Sequence, residues 1–145
     1  MTGAITILLV EDDEGHSHLI RKNLRRSGFT NEVIPFGNGQ AVLDYLFSEG
    51  AYHGQAEPKP LLMLLDLNMP GLSGLQVLER IKSDERTRRI PVIILTTTDD
   101  QREMSRCYDL GCNLYITKPV QYEDFAAAIR ELGLLLTIVT VPHAQ

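Results

Sequence analysis

Leu61-Leu62-Met63-Leu64-Leu65-Asp66, followed at once by Leu67-Asn68-Met69-Pro70-Gly71, decides the fold. An unbroken apolar run of this kind reads as a strand buried on both faces of a parallel sheet. Asp66 closes the run, which puts a carboxylate at the carboxyl edge of the sheet, where open α/β folds place their chemistry. Ile5-Thr6-Ile7-Leu8-Leu9-Val10 repeats the pattern, and Glu11-Asp12-Asp13 follows it. Either acid alone reads equally well as a polar stop after a strand. Two such strands, both ending in acids, point to one shared site.

Outward from these two strands, strand and helix alternate along the chain. Residues 14–27 carry Leu19, Ile20 and Leu24 at helical spacing, with Gly28 as the stop. Asn31–Phe36 reads as the second strand and residues 40–49 as the second helix. Residues 50–60, with Gly, Pro58 and Pro60, read as a surface loop. Residues 74–83 hold Leu75, Val77, Leu78 and Ile81, a third helix. Pro91–Thr96 is the fourth strand, 100–110 a helix stopped by Gly111, Asn113–Thr117 the fifth strand and 121–134 the last helix. Five such units predict an α/β fold, a doubly wound five-stranded parallel sheet with helices on both faces. The common order 2-1-3-4-5 sets the first and third strands side by side at the switch point, where Glu11, Asp12, Asp13 and Asp66 meet.

The 145 residues suit one domain with a full core, and the net charge of -5 argues against a nucleic-acid footprint. The basic stretches Arg21-Lys22…Arg25-Arg26 and Arg86…Arg88-Arg89 read as solvated faces. Cys107 and Cys112, five apart and without further cysteines, complete no zinc set; they read as reduced, buried residues of a cytoplasmic protein. His16, His18, His53 and His143 form no metal-ligand pattern. No signal peptide is expected, and no apolar run approaches the roughly 20 residues of a membrane span.

Crowded carboxylates repel one another, and they either raise one another's pKa or bind a cation. Oxygen ligands without His or Cys favour Mg²⁺, then Ca²⁺. Such a cation beside Asp66 would offset the charge of a phosphoryl group attacked by that carboxylate. Thr96 ends the fourth strand with a hydroxyl donor, and Lys118 ends the fifth with a cation. Lys118-Pro119, at a tight strand-to-helix turn, is a candidate for a cis bond. Each signal is weak alone; their order along the chain makes the set specific.

On Leu8–Asp13, Leu65–Gly71 with Gly74, Ile93–Thr97 and Tyr115–Pro119, the chain resembles the receiver domain of two-component response regulators over essentially its whole length. The resemblance implies a flavodoxin-like receiver fold. It further implies that Asp66 accepts a phosphoryl group from a phosphohistidine of a sensor histidine kinase. Glu11, Asp12 and Asp66 would then hold Mg²⁺ together with the Asn68 backbone carbonyl. Thr96 would follow the phosphoryl group, Lys118 would pair with it, and Tyr115 would turn inward as a switch that alters the face of the fourth helix, fifth strand and fifth helix. Asp13 receives no ligand role. Such a protein is a phosphoacceptor with slow self-dephosphorylation rather than a classical enzyme.

The loop 50–60, Leu95-Thr96-Thr97, Tyr115–Lys118 and the tail ending Thr140-Val141-Pro142 are similar to the stand-alone regulators that partner bacterial phytochromes. That similarity implies a phytochrome-type kinase as partner and no output domain. The expected division is a receiver domain over 1–134 and a C-terminal extension over 135–145, which either prolongs the last helix or runs as a strand. Leu134, Leu135, Ile138 and Val141 are its candidate homodimer contacts. Leu134-Leu135 stands where that group often carries an aromatic pair. No direct contact with nucleic acid or membrane is expected.

Three other readings compete. An aspartyl phosphatase or mutase wants a second Asp where Asn68 stands. A flavin domain would have its phosphate repelled by Glu11-Asp12-Asp13. A pseudo-receiver, a non-phosphorylated interaction module, normally lacks the Asp, Thr or Lys, and all three are present.

Overall fold

The computed structural model describes residues 5–48, 60–119 and 121–136, Tyr122 and Leu135 by their backbone alone. Its elements run β1 (Thr6–Val10), α1 (Glu14–Arg26), β2 (Val33–Phe36), α2 (Gly39–Leu46), β3 (Leu61–Leu65), α3 (Gly74–Lys82), β4 (Val92–Thr96), α4 (Gln101–Leu110), β5 (Leu114–Thr117) and α5 (Tyr122–Leu136). All strand pairings are parallel, in the order β2-β1-β3-β4-β5. This is the doubly wound sheet that the apolar runs imply.

Every residue of β1, β3 and β4 is buried, whereas the edge strands β2 and β5 are partly open. Successive side chains point to opposite faces, so one run feeds two cores. Leu8, Val10, Met63, Leu65 and Ile94 meet Val42, Val77, Leu78 and Ile81 on the side of α2 and α3. Ile7, Leu9, Leu62, Leu64 and Ile93 meet Ile20, Leu24, Phe125 and Ile129 on the side of α1 and α5. Each fully buried aliphatic side chain contributes about 1.5–3 kcal/mol. The two faces therefore anchor the central strands far more firmly than any loop contact.

Helix starts follow local chemistry. Asp13 caps α1, its carboxylate accepting from the His16 backbone N–H at 2.9 Å. Those bonds from the helix start hold the exposed Asp13 carboxyl below the usual range. Ser73 and Gln76 form a capping box on α3, and Gly111, at φ 111°, ends α4 in the left-handed conformation. Cys107 and Cys112 are buried and free, one inside α4 and one just past its end.

The second helix ends at Leu46, short of the expected residue 49, and the structure decides two points that the sequence reading leaves open. No described peptide bond is cis, so Lys118–Pro119 is trans. The last helix continues to Leu136, carrying the first tail residues as helix. Most of the loop expected at 50–60, and Ile138 and Val141, lie outside the described residues. Among the described residues no helix is long and apolar enough to cross a membrane.

Candidate functional site

The site lies at the carboxyl edge of the four strands β1, β3, β4 and β5, and the sheet holds it by extending its ladder. Just past their strands, the Glu11 N–H donates to Phe36 O at 3.0 Å, that of Asp66 to Val10 O at 3.0 Å, and that of Lys118 to Thr96 O at 2.6 Å. Each functional residue is therefore fixed by the hydrogen bonding that fixes the strand before it. The start of α3 presses on the same spot. A Cβ on Gly74 would stand 2.3 Å from Asp66 O and 2.6 Å from Leu67 Cα, so only glycine allows this approach.

Glu11, Asp12 and Asp66 each bring a carboxylate oxygen within 4.8 Å of the others. Glu11 and Asp66 are buried, and Asp12 is exposed. Burial pushes the Glu11 carboxyl up to about 7; Lys118 pulls the other way, and the charge on Asp66 adds to the rise. Three carboxylates gather around one ammonium, so the pocket is short of positive charge even with Lys118 in it. An all-oxygen donor set with uncompensated negative charge fits a hard divalent cation.

Lys118 is buried beside these acids. Its Nζ donates to Glu11 Oε1 at 2.5 Å and to Asp66 Oδ2 at 3.4 Å, and lies 3.3 Å from His16 Nδ1. Asp66 Oδ1 also accepts from the Asn68 backbone N–H at 3.2 Å. The Asn68 side chain reaches the end of β4: its Nδ2 donates toward the hydroxyls of Thr96 and Thr97 at 3.3 Å and of Thr98 at 3.0 Å. Thr96 is fully buried. The Tyr115 hydroxyl donates to Thr98 O at 2.6 Å, and the ring is turned inward and buried. Burial first, then the charges of Cys107, Glu103, Asp99 and Asp100, push its ionisation up to about 12.

The structure thus gathers Glu11, Asp12, Asp66, Asn68, Thr96 and Lys118 at one point, with Tyr115 joined through Thr98. Leu134 lies apart, exposed in the last turn of α5. Sequence reasoning missed three participants. His16, which belongs to no metal-ligand pattern in the sequence, touches Lys118. The Asn68 side chain, given only a backbone role, ties the strand ends together. Phe125, read as part of a helix, packs its ring edge-on to His16. A position one turn into the helix that follows the acids was the available signal for His16.

The arrangement can place a nucleophilic carboxylate between a cation-binding acidic pair and a fixed ammonium. Comparisons with known proteins agree with this geometry. The model of the response regulator receiver domain matches residues 7–130. The response regulator Rcp1 of Synechocystis is 36% identical over 139 residues, covering 95% of this chain and 93% of its own, and a structure of its Mn²⁺-bound form superposes with a TM-score of 0.86. A receiver domain from Rhodospirillum rubrum is 52% identical, with a TM-score of 0.90, covering 97% of this chain and 99% of its own. The phosphorylated cyanobacterial phytochrome response regulator RcpA is 35% identical, with a TM-score of 0.86, over 94% and 97% of the two chains. By sequence, fold and site, this chain belongs to the response regulator receiver domain family.

Proposed function

We propose that the protein is a single-domain response regulator that accepts a phosphoryl group on Asp66 from a sensor histidine kinase of the phytochrome type. The observation that carries this reading is the Asp66 carboxylate, held at a strand end with one oxygen 3.4 Å from Lys118 Nζ and both neighbouring acids within 4.8 Å. An Asp66 oxygen attacks phosphorus, the bond from phosphorus to the kinase histidine nitrogen breaks, and that nitrogen leaves with the electron pair. Lys118 turns an N–H toward a phosphoryl oxygen, and the Thr96 hydroxyl donates to another. Glu11, Asp12, Asp66 and the Asn68 backbone carbonyl would hold Mg²⁺. When bound, that ion supplies positive charge to offset the phosphoryl oxygens.

In the switch, Thr96 releases its contact with Asn68 to reach the phosphoryl group. The space that Thr96 leaves acts on Tyr115, whose inward ring is tied to the end of β4, and so alters the face of α4, β5 and α5. Residues 1–134 form the receiver and 135–145 an extension that pairs two copies through Leu134, Leu135, Ile138 and Val141. The setting is cytoplasmic, and the output is contact with another protein rather than nucleic acid or membrane. The phytochrome assignment is supported by the likeness to RcpA.

The test is labelling by acetyl phosphate with and without Mg²⁺, read by intact mass and paired with light scattering. Wild type should take up one phosphoryl group only with Mg²⁺, and Asp66→Asn none. Full labelling of Asp66→Asn sinks the site assignment. No labelling of wild type points instead to a pseudo-receiver. A monomer under all conditions removes the proposed pairing.

A further inference from the structure

We infer that His16 is a positioning residue for Lys118: its Nδ1 lone pair takes one N–H of the ammonium and so fixes the direction of the N–H aimed at Asp66. The inference rests on Asp66 being the phosphoacceptor. An ammonium carries three N–H donors and no acceptor. Lys118 is 4% exposed, so those donors find partners within the protein. The structure offers three acceptors: Glu11 Oε1 at 2.5 Å, Asp66 Oδ2 at 3.4 Å and His16 Nδ1 at 3.3 Å. A nitrogen facing a group that only donates must bear its lone pair, which places the imidazole proton on Nε2.

The ring is set for this task from two sides. The His16 backbone N–H is bound by the Asp13 carboxylate at 2.9 Å, which fixes the first turn of α1. The ring meets Phe125 edge-to-face, with centroids 5.5 Å apart and an interplanar angle of 83°. Phe125 is buried in the first turns of α5, and the Lys118 ammonium lies 5.9 Å from its centroid. The ammonium therefore has an acidic wall on one side and a His16–Phe125 wall on the other. Glu11 holds it closely and Asp66 only loosely. Without the His16 acceptor, one buried N–H is orphaned, and the ammonium relieves this by rotating about its tight bond to Glu11. The N–H that should meet the phosphoryl oxygen then loses its aim.

Two variants and one spectrum decide the matter. His16→Asn keeps an acceptor oxygen at the place of Nδ1, and His16→Leu keeps the bulk without an acceptor. With acetyl phosphate and Mg²⁺, His16→Leu should label Asp66 about tenfold more slowly than wild type, the cost of one charge-assisted hydrogen bond. His16→Asn should recover most of that rate, although both variants lose the contact with Phe125 and melt at similar temperatures. The imidazole ¹⁵N spectrum of wild type should show Nδ1 unprotonated and Nε2 protonated. A protonated Nδ1, or a His16→Leu rate equal to wild type, overturns the inference, and so does equal slowing of both variants. Absence of labelling in wild type overturns the phosphoacceptor reading instead, and the spectrum still judges the contact.

Discussion

Tyr115 sits where it does because of one oxygen. A tyrosine ring can be buried only if its hydroxyl finds a partner, and Thr98 O supplies one at 2.6 Å. Burial and nearby acids raise its ionisation from 10.0 to about 12. The folded protein thus holds this proton more tightly than the unfolded chain does. The resulting stability is intact below the unfolded value and fades as pH climbs through the folded one. Alkaline titration followed by tyrosinate absorbance should show one late phase that Tyr115→Phe removes. In wild type, denaturant midpoints should fall between pH 10 and 12, and the variant should lose less of its midpoint over the same window. At this scale the sequence was readable where a residue ends a strand run, as Thr96 does, or directly follows one, as Glu11, Asp66 and Lys118 do. His16 was hidden because its partner lies 102 positions away, and only the packing of α1 against α5 brings them together.

At the scale of elements, α1 and α5 approach so closely that a glycine is required between them. A Cβ on Gly133 would stand 1.9 Å from Ser27 Oγ and 2.9 Å from its Cβ. Gly133→Ala should destabilise the protein by about 1–3 kcal/mol, with part of the loss recovered by adding Ser27→Gly. Urea unfolding of the two variants checks this. The open edge of β5 carries a different device. The Tyr115 backbone N–H donates to the Tyr108 hydroxyl at 3.1 Å, which occupies a donor that another strand could otherwise pair with. Tyr108→Phe should cost about 0.5–1.5 kcal/mol and speed exchange of that amide, as read by hydrogen exchange. Most elements were legible to within a residue or two, because strand runs and stop glycines mark them locally. The end of α5 was not, since the apolar, β-branched stretch after Leu134 suits helix and strand alike.

For the whole molecule, the two cores and the site are built from the same strands but answer to different forces. The site is a cluster of like charges restrained by one buried cation. Removing a charge from the crowd relieves repulsion, whereas removing the cation leaves the buried Glu11 and Asp66 with backbone N–H bonds but no opposing charge. Asp66→Asn should therefore leave unfolding free energy within about 1 kcal/mol of wild type, or raise it. Lys118→Met, measured without divalent cation, should lose about 3–5 kcal/mol. Equal effects of the two would refute this account of the charge balance. The parallel sheet and its order were legible because both-face burial writes long apolar runs into the chain. The charge balance was not, because it depends on distances that no run of residues records.

The ladder that runs one residue past β1, β3 and β5 also bears on how such a chain can drift over generations. The proposed site residues stand where the strands end. A substitution at Asp66 can silence the site while the folding of the sheet continues undisturbed. On the proposed function, a lineage can therefore lose phosphate uptake without losing the protein, and the folded remnant stays available for selection on its surfaces alone.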